Sequence, residues 1–216
     1  MQGDANAEYT QPDFRSVALI TVDMQRDFLA GEPFEIPGTS EILPKLQMLV
    51  AAFRRKQLPI VHMVRLYKSD GSNVDLCRRR AVERGTAIVR PGTAGAELHA
   101  SLLPRFDLKL DAGLLLSGTP QPFSSMEWVM YKPRWGAFYQ TTLEQHLSSL
   151  GVTSLAFTGC NFPNCPRTSI YEASERDFRI VLVTDAISGL YDRGKDEMTG
   201  IGVSLMSAEE LAKAIV

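Results

Sequence analysis

The stretch Thr153–Val183 constrains this chain most, because it reads as strand, tight turn, helix and second strand in immediate succession. Leu155–Thr158 is a short apolar run closed by Gly159, Pro166–Asp177 has helical composition, and Phe178–Val183 is β-rich with an unbroken apolar run at Ile180–Val183. Such runs belong to strands buried on both faces, in parallel sheets covered by helices. Between strand and helix lies Gly159-Cys160-Asn161-Phe162-Pro163-Asn164-Cys165-Pro166. Proline is favoured at the first helical position, where its missing N–H costs nothing. That places Cys165 at the N-cap, facing the positive end of the helix dipole and free backbone N–H groups. Both favour the thiolate, the nucleophilic form of cysteine.

The rest of the chain repeats the alternation. Val17–Val22, Leu58–Val64 and Glu127–Tyr131 read as strands, Leu114–Leu116 as a minor strand and Ser204–Met206 as a last short one. Ser40–Lys56 has apolar residues at helical spacing, with Thr39 or Ser40 as cap and Pro44 in the first turn. Val74–Gly85 reads as a short basic helix, Ala96–Leu103 as a helical turn, and Thr142–Leu150 and Gly194–Val203 as helices. Ser207–Val216 opens on Ser207-Ala-Glu-Glu210, a capping-box match. Residues 1–16 are polar and read as a loose arm, and 17–216 as one domain. The expected architecture is a three-layer α/β/α sandwich on a mostly parallel sheet of about six strands, with right-handed crossovers.

Composition excludes several classes. The net charge of −2 over 216 residues gives no reason to expect nucleic acid or an anionic membrane as partner. No apolar run approaches the roughly 20 residues of a membrane span, and no signal peptide is visible. Three cysteines make an odd count, which fits a reducing, cytoplasmic setting better than a disulfide framework.

Asp23, Lys132 and Cys165 each follow the carboxyl end of a different expected strand. A parallel sheet gathers such positions on one edge, where ligands bind. A thiol there needs a proton acceptor, which a carboxylate supplies, and an ammonium holds both in charged form.

At these residues the sequence resembles the isochorismatase-like cysteine hydrolases. Val22-Asp23-Met24-Gln25…Asp27-Phe28 is similar to that family's opening motif, Lys132-Pro-Arg-Trp-Gly-Ala-Phe138 to its K-x-x-x-S-A-F motif, and Gly159…Cys165 with Ser169 to its G-x-x-T-x-x-C-x-x-x-T/S segment. Gly136 stands where a small hydroxyl residue is usual, and Phe162 where threonine is common. The run from Cys160 to Arg167 resembles a subgroup that includes streptothricin hydrolase and an isochorismatase-like γ-lactamase. The resemblance implies an α/β/α, Rossmann-like fold and a catalytic triad of Asp23, Lys132 and Cys165. It further implies a cis bond at Cys160–Asn161, an oxyanion hole from the Asn161 and Cys165 N–H groups, and a homodimer or homotetramer. A metal cluster of the nicotinamidase type is not expected. Only His62 stands near the second strand, and His99 and His146 fall far along the chain.

The implied chemistry is hydrolysis of a small amide, cyclic in the first reading and linear or ureido-type in the second, through a thioester and with no cofactor. Phe28, Phe34, Trp135, Phe138, Tyr139 and Phe162 lie in or beside the motif loops and are the expected walls of an apolar pocket for a neutral, compact substrate. The rival class is a thiol redox sensor that pairs Cys160 with Cys165.

Overall fold

The computed structural model describes residues 7–216; the first six residues of the expected arm lie outside the described residues. What is described of that arm docks on its own sheet. A short helix, α1 (Ala7–Thr10), is followed by Asp13, whose N–H donates to Ser154 Oγ at 2.8 Å, and Arg179 Nε donates to the Tyr9 carbonyl at 3.3 Å.

The chain then runs β1 (Val17–Val22), α2 (Leu43–Lys56), β2 (Ile60–Val64), α3 (Leu76–Glu83), α4 (Ala112–Leu116), β3 (Gln121–Ser124), β4 (Glu127–Tyr131), α5 (Leu143–Ser149), β5 (Ser154–Gly159), α6 (Cys165–Ser174), β6 (Arg179–Ile187), α7 (Asp192–Gly200), β7 (Ser204–Met206) and α8 (Ala208–Ala214). The seven strands form one sheet in the order β3-β4-β2-β1-β5-β6-β7, parallel except for the edge strand β3. Every residue of β1, β2 and β5 is buried, as their apolar runs require. Side chains alternate between faces along a strand. Val17 and Leu19 therefore join one core with Leu46, Leu49 and Phe53 of α2, whereas Ala18, Ile20 and Val22 join the other with Leu147 of α5 and Ile170 of α6.

Three local expectations are corrected. Leu114–Leu116 lies in α4, because Asp111 Oδ1 accepts the Leu114 N–H at 2.9 Å and starts a helical turn. The minor strand is instead Gln121–Ser124, where Pro122 is tolerated at a sheet edge. Helix α2 begins at Leu43, since Ser40 Oγ accepts the Ala30 N–H and Thr39 Oγ1 donates to Ser188 Oγ, leaving neither free to cap. Ala96–Leu103 resolves into two separate 3₁₀ turns, Ala94–Ala96 and Ala100–Leu102. The Ser207 capping box forms as its spacing predicts. Among the described residues no helix is long and apolar enough to cross a membrane.

The order in which strands are added to the sheet reverses at β1: β2 lies on one side of it and β5 on the other. A crevice opens outside the carboxyl ends of strands at such a switch point.

Candidate active site

Four adjacent strands, β4-β2-β1-β5, deliver four side chains to that crevice. Lys132 follows β4, Arg65 follows β2, Asp23 follows β1, and Cys165 follows β5 after a five-residue turn, 160–164. The parallel ladder continues past the strand ends and fixes their spacing. Asp23 N–H donates to the Met63 carbonyl at 2.9 Å, Lys132 N–H to Val64 at 3.0 Å, and Cys160 N–H to Val22 at 2.9 Å. Gly159 makes the last contact possible. Its φ is +108°, and a Cβ there would stand 2.2 Å from the Val22 carbonyl oxygen.

Lys132 Nζ donates to Asp23 Oδ2 at 2.9 Å, with the lysine side chain 0 % and the aspartate 5 % exposed. An ion pair so deeply desolvated persists only with good geometry; a further donation from Lys132 Nζ, to the Arg134 carbonyl at 3.4 Å, helps to hold it. Asp23 has a φ of +53°, in the left-handed region that aspartate tolerates better than most residues. Its second oxygen, Oδ1, is buried and has no hydrogen-bond partner among the described residues. A carboxylate with one oxygen anchored and the other vacant has a free acceptor for a proton.

Cys165 is the first residue of α6, one position inside the expected N-cap, with Asn164 as cap and Pro166 in the first turn. The thiol is not poised as thiolate. Burial pushes its pKa up, the Asp23 charge adds to this, and Lys132 and Arg65 only partly offset them. Desolvation outweighs the helix-terminus effect that the sequence alone suggested. Cys160, beside it, is pushed up to about 12, first by burial and then by Asp23.

The expected cis bond is also corrected. Cys160–Asn161 is trans, and no cis peptide occurs among the described residues. A non-proline cis bond costs about 3–4 kcal/mol, and the trans turn meets its hydrogen bonds without it: Phe162 N–H donates to Ser188 at 2.8 Å and Asn164 N–H to Asn161 at 3.0 Å. The Asn161 and Cys165 N–H groups donate to no protein acceptor among the described residues.

Ser169 ties the two halves of the site together. Its Oγ donates to the Cys165 carbonyl at 2.7 Å and accepts the Ala137 N–H at 3.0 Å. Glu172, one turn on, accepts the Phe138 N–H at 2.8 Å, and its carboxylate covers Gly136, where a Cβ would stand 2.2 Å from it. A side chain at position 136 would have to displace the Glu172 carboxylate.

Arg65 was not singled out from the sequence. It is 1 % exposed, with Nη2 3.8 Å from Cys165 Sγ and Nη1 2.7 Å from Asp75 Oδ2. Burial works against its charge, but Asp23, Tyr67, Cys165 and Asp75 more than offset that and hold it protonated. Gln25 clamps its backbone, accepting the Arg65 N–H and donating to the Arg65 carbonyl, both at 2.8 Å. The signal was present as a charged residue directly after a largely apolar strand, similar to the one that marked Asp23.

The cleft over the thiol measures about 10 Å³ and is lined by Asp23, Phe28, Arg78, Trp135, Asn161 and Asn164 with both cysteines and Ile36. That is space for about one water molecule. Of the aromatic residues expected here, Phe28 and Trp135 line it. Phe34 packs on the core beside it, Phe138 stacks against Phe178, Phe162 is buried against Tyr191, and Tyr139 is 46 % exposed. The lining is mixed rather than apolar, because Arg78 and two asparagines share it. His62 is buried between Thr21 Oγ1 (2.7 Å) and Glu127 Oε1 (2.9 Å). Among the described residues no group of three or more His, Cys, Asp or Glu is arranged to hold a metal.

A mostly parallel α/β sheet with a thiol, a carboxylate and an ammonium converging at its switch point defines a class: hydrolase folds whose reactive groups stand on strand-end loops. This chain belongs to the isochorismatase family, whose Isochorismatase domain matches residues 17–109 and 112–210. It is 27 % identical over 210 residues to a probable inactive nicotinamidase of Arabidopsis thaliana, covering 94 % of this chain and 97 % of that one. It is 26 % identical over 187 residues to the ureidoacrylate amidohydrolase RutB of Methylobacterium radiotolerans, covering 78 % of this chain and 65 % of that protein. The crystal structure of an isochorismatase family protein from Desulfovibrio vulgaris superposes with a TM-score of 0.79 at 30 % identity, over 92 % of this chain and 97 % of that one.

Proposed function

We propose that this protein is a cysteine-dependent amidohydrolase that cleaves the C–N bond of a small non-peptide amide through a thioester. One observation carries the reading: a buried Asp23–Lys132 pair at 2.9 Å whose free carboxylate oxygen shares a cleft with the Cys165 thiol.

The protonated thiol and the vacant Oδ1 suit each other. As Sγ attacks the amide carbonyl carbon, its proton passes to Asp23, so thiolate forms only with substrate in place. Lys132 keeps Asp23 oriented. The tetrahedral oxyanion is received by the Asn161 and Cys165 N–H groups, each donor of this kind being worth about 3 kcal/mol. The C–N bond breaks, Asp23 returns its proton to the leaving nitrogen, and the acyl group remains on sulfur. Asp23 then deprotonates a water that attacks the thioester, the acid departs, and the proton returns to Sγ.

The first substrate reading is a cyclic amide, after the likeness of the Cys160–Arg167 run to lactam-cleaving relatives. A linear ureido compound is the second, favoured by the similarity to a ureidoacrylate amidohydrolase. The redox reading is disfavoured by a buried Cys160 thiol whose pKa desolvation pushes up to about 12. A panel of cyclic, primary and ureido amides, followed by mass spectrometry of the intact protein, tests the proposal. The expected result is an acyl adduct on Cys165 and product with at least one class, both abolished in a folded Cys165→Ala variant. Turnover that survives Cys165→Ala would sink the mechanism.

A further inference from the structure

Charges around the thiol do not balance. Asp23 and Lys132 neutralise each other, as do Arg65 and Asp75 at 2.7 Å. Arg78, from the first turn of α3, is left over. Its Nη1 donates to the Tyr67 hydroxyl at 3.3 Å, and no carboxylate among the described residues lies within ion-pair distance of it. Yet it is half-buried and lines the cleft. An arginine without a counter-ion ordinarily extends into water. This one is held over the cleft by Trp135, whose ring centroid is 5.4 Å from the Arg78 guanidinium carbon and 5.1 Å from that of Arg65. Trp135 thus carries one cation that is already paired and one that is not. The nearby Arg134 likewise has no carboxylate partner among the described residues, but it does not line the cleft, and its Nη1 is taken up by the Asn73 and Pro133 carbonyls at 3.1 and 2.7 Å.

We infer that the amide cleaved here carries a carboxylate, and that Arg78 is the residue that selects it. This rests on the amidohydrolase reading above and replaces the neutral substrate expected from the motif aromatics. An anionic group beside Arg78 cancels the surplus charge of the cleft, and the planar guanidinium fork matches a carboxylate in two parallel hydrogen bonds. The same cleft presents the Cys165 thiol, so amide and carboxylate belong to one small molecule. Asn161 and Asn164, joined at 3.1 Å, add neutral polar groups to the lining that do not compete for the anion.

The test reads charge at the thiol without knowing the substrate. Iodoacetate and iodoacetamide alkylate the same sulfur and differ by one negative charge. Their rate ratio at Cys165, measured by peptide mass spectrometry at low ionic strength, cancels the thiolate fraction and the intrinsic reactivity of the thiol. N-acetylcysteine supplies the reference ratio. At Cys165 the ratio is expected to exceed that reference by about tenfold, equivalent to about 1.4 kcal/mol. Arg78→Gln should erase the excess. Arg80→Gln, the same charge change at an exposed position of the same helix, should keep most of it. The iodoacetamide rate at Cys165 reports whether each variant retains its site. A wild-type ratio at or below the reference, or an excess that survives Arg78→Gln, overturns the inference and leaves the amidohydrolase reading intact. Alkylation of Cys165 by neither reagent in the folded protein overturns the anion site and leaves the amidohydrolase reading, in which thiolate forms only with substrate in place, to the amide panel. An excess that depends on Arg78, in a protein whose Cys165 no amide acylates, supports the anion site and ends the amidohydrolase reading.

Discussion

At the scale of the residue, the site depends on how one buried charge is held. Asp23 is 4 % exposed, and Lys132 is the cation that contacts its carboxylate at 2.9 Å. Removing one member of such a pair leaves the other uncompensated, which costs about 3–5 kcal/mol, whereas removing both is close to neutral. Lys132→Met is therefore expected to lose stability in that range in urea unfolding, and Asp23→Asn/Lys132→Met to recover most of it. Neither should hydrolyse amides. Recovery of stability without activity separates the chemical role of the pair from its structural one. Asp23 and Lys132 were legible in the sequence because each follows the carboxyl end of an expected strand, where a parallel sheet brings them to the edge that Cys165 also reaches. The protonation state of Cys165 was not legible. Helix start and burial pull its pKa in opposite directions, and only the packed fold sets how much water the thiol loses.

At the scale of the element, the turn from β5 into α6 is held in place by what cannot be added to it. Gly159 sits against the Val22 backbone at φ +108°, so any side chain there pushes β5 away from β1 and moves Cys165 away from Asp23. Gly159→Ala is expected to cost on the order of 3–5 kcal/mol, beyond the range of an ordinary surface change. Thermal unfolding checks this. Retention of wild-type stability would mean that the two strands approach each other less closely than described. Helix and strand positions in this part followed from apolar periodicity. The Leu114–Leu116 segment did not, because a three-residue apolar run carries no period, and the Asp111 cap decides its state.

At the scale of the molecule, Glu127 links three elements in two layers, the sheet and one helix upon it. From the start of β4 it accepts Arg54 of α2 through Nε at 2.8 Å and Nη2 at 2.6 Å, and His62 of β2 at 2.9 Å. Burial alone raises its pKa, but the hydrogen bonds from Arg54 and His62, with their charges, bring it down to about 2 from the ordinary 4.5 of a glutamate. A depressed carboxylate stabilises the fold above its unfolded pKa and loses that contribution as pH falls through the folded one. Stability should therefore fall by on the order of 3 kcal/mol between about pH 4.5 and 2 from this group. Glu127→Gln should flatten that part of the profile, measured by urea unfolding at stepped pH. An unchanged acid slope would place the loss elsewhere.

The sequence by itself determined the alternation of strands and helices and the sheet edge to which strand-end side chains come, and it singled out Asp23, Lys132 and Cys165 among them. These follow from local periodicity and from chain order, which survive without knowledge of partners. Only the tertiary structure decided that the thiol rests protonated, that Cys160–Asn161 is trans, and that Arg65 stands 3.8 Å from the sulfur. It also decided that, among the described residues, Arg78 has no carboxylate partner beside the thiol. Each of these depends on which groups exclude water from one another across distant segments. Desolvation is a property of packed surroundings, not of neighbours in the chain.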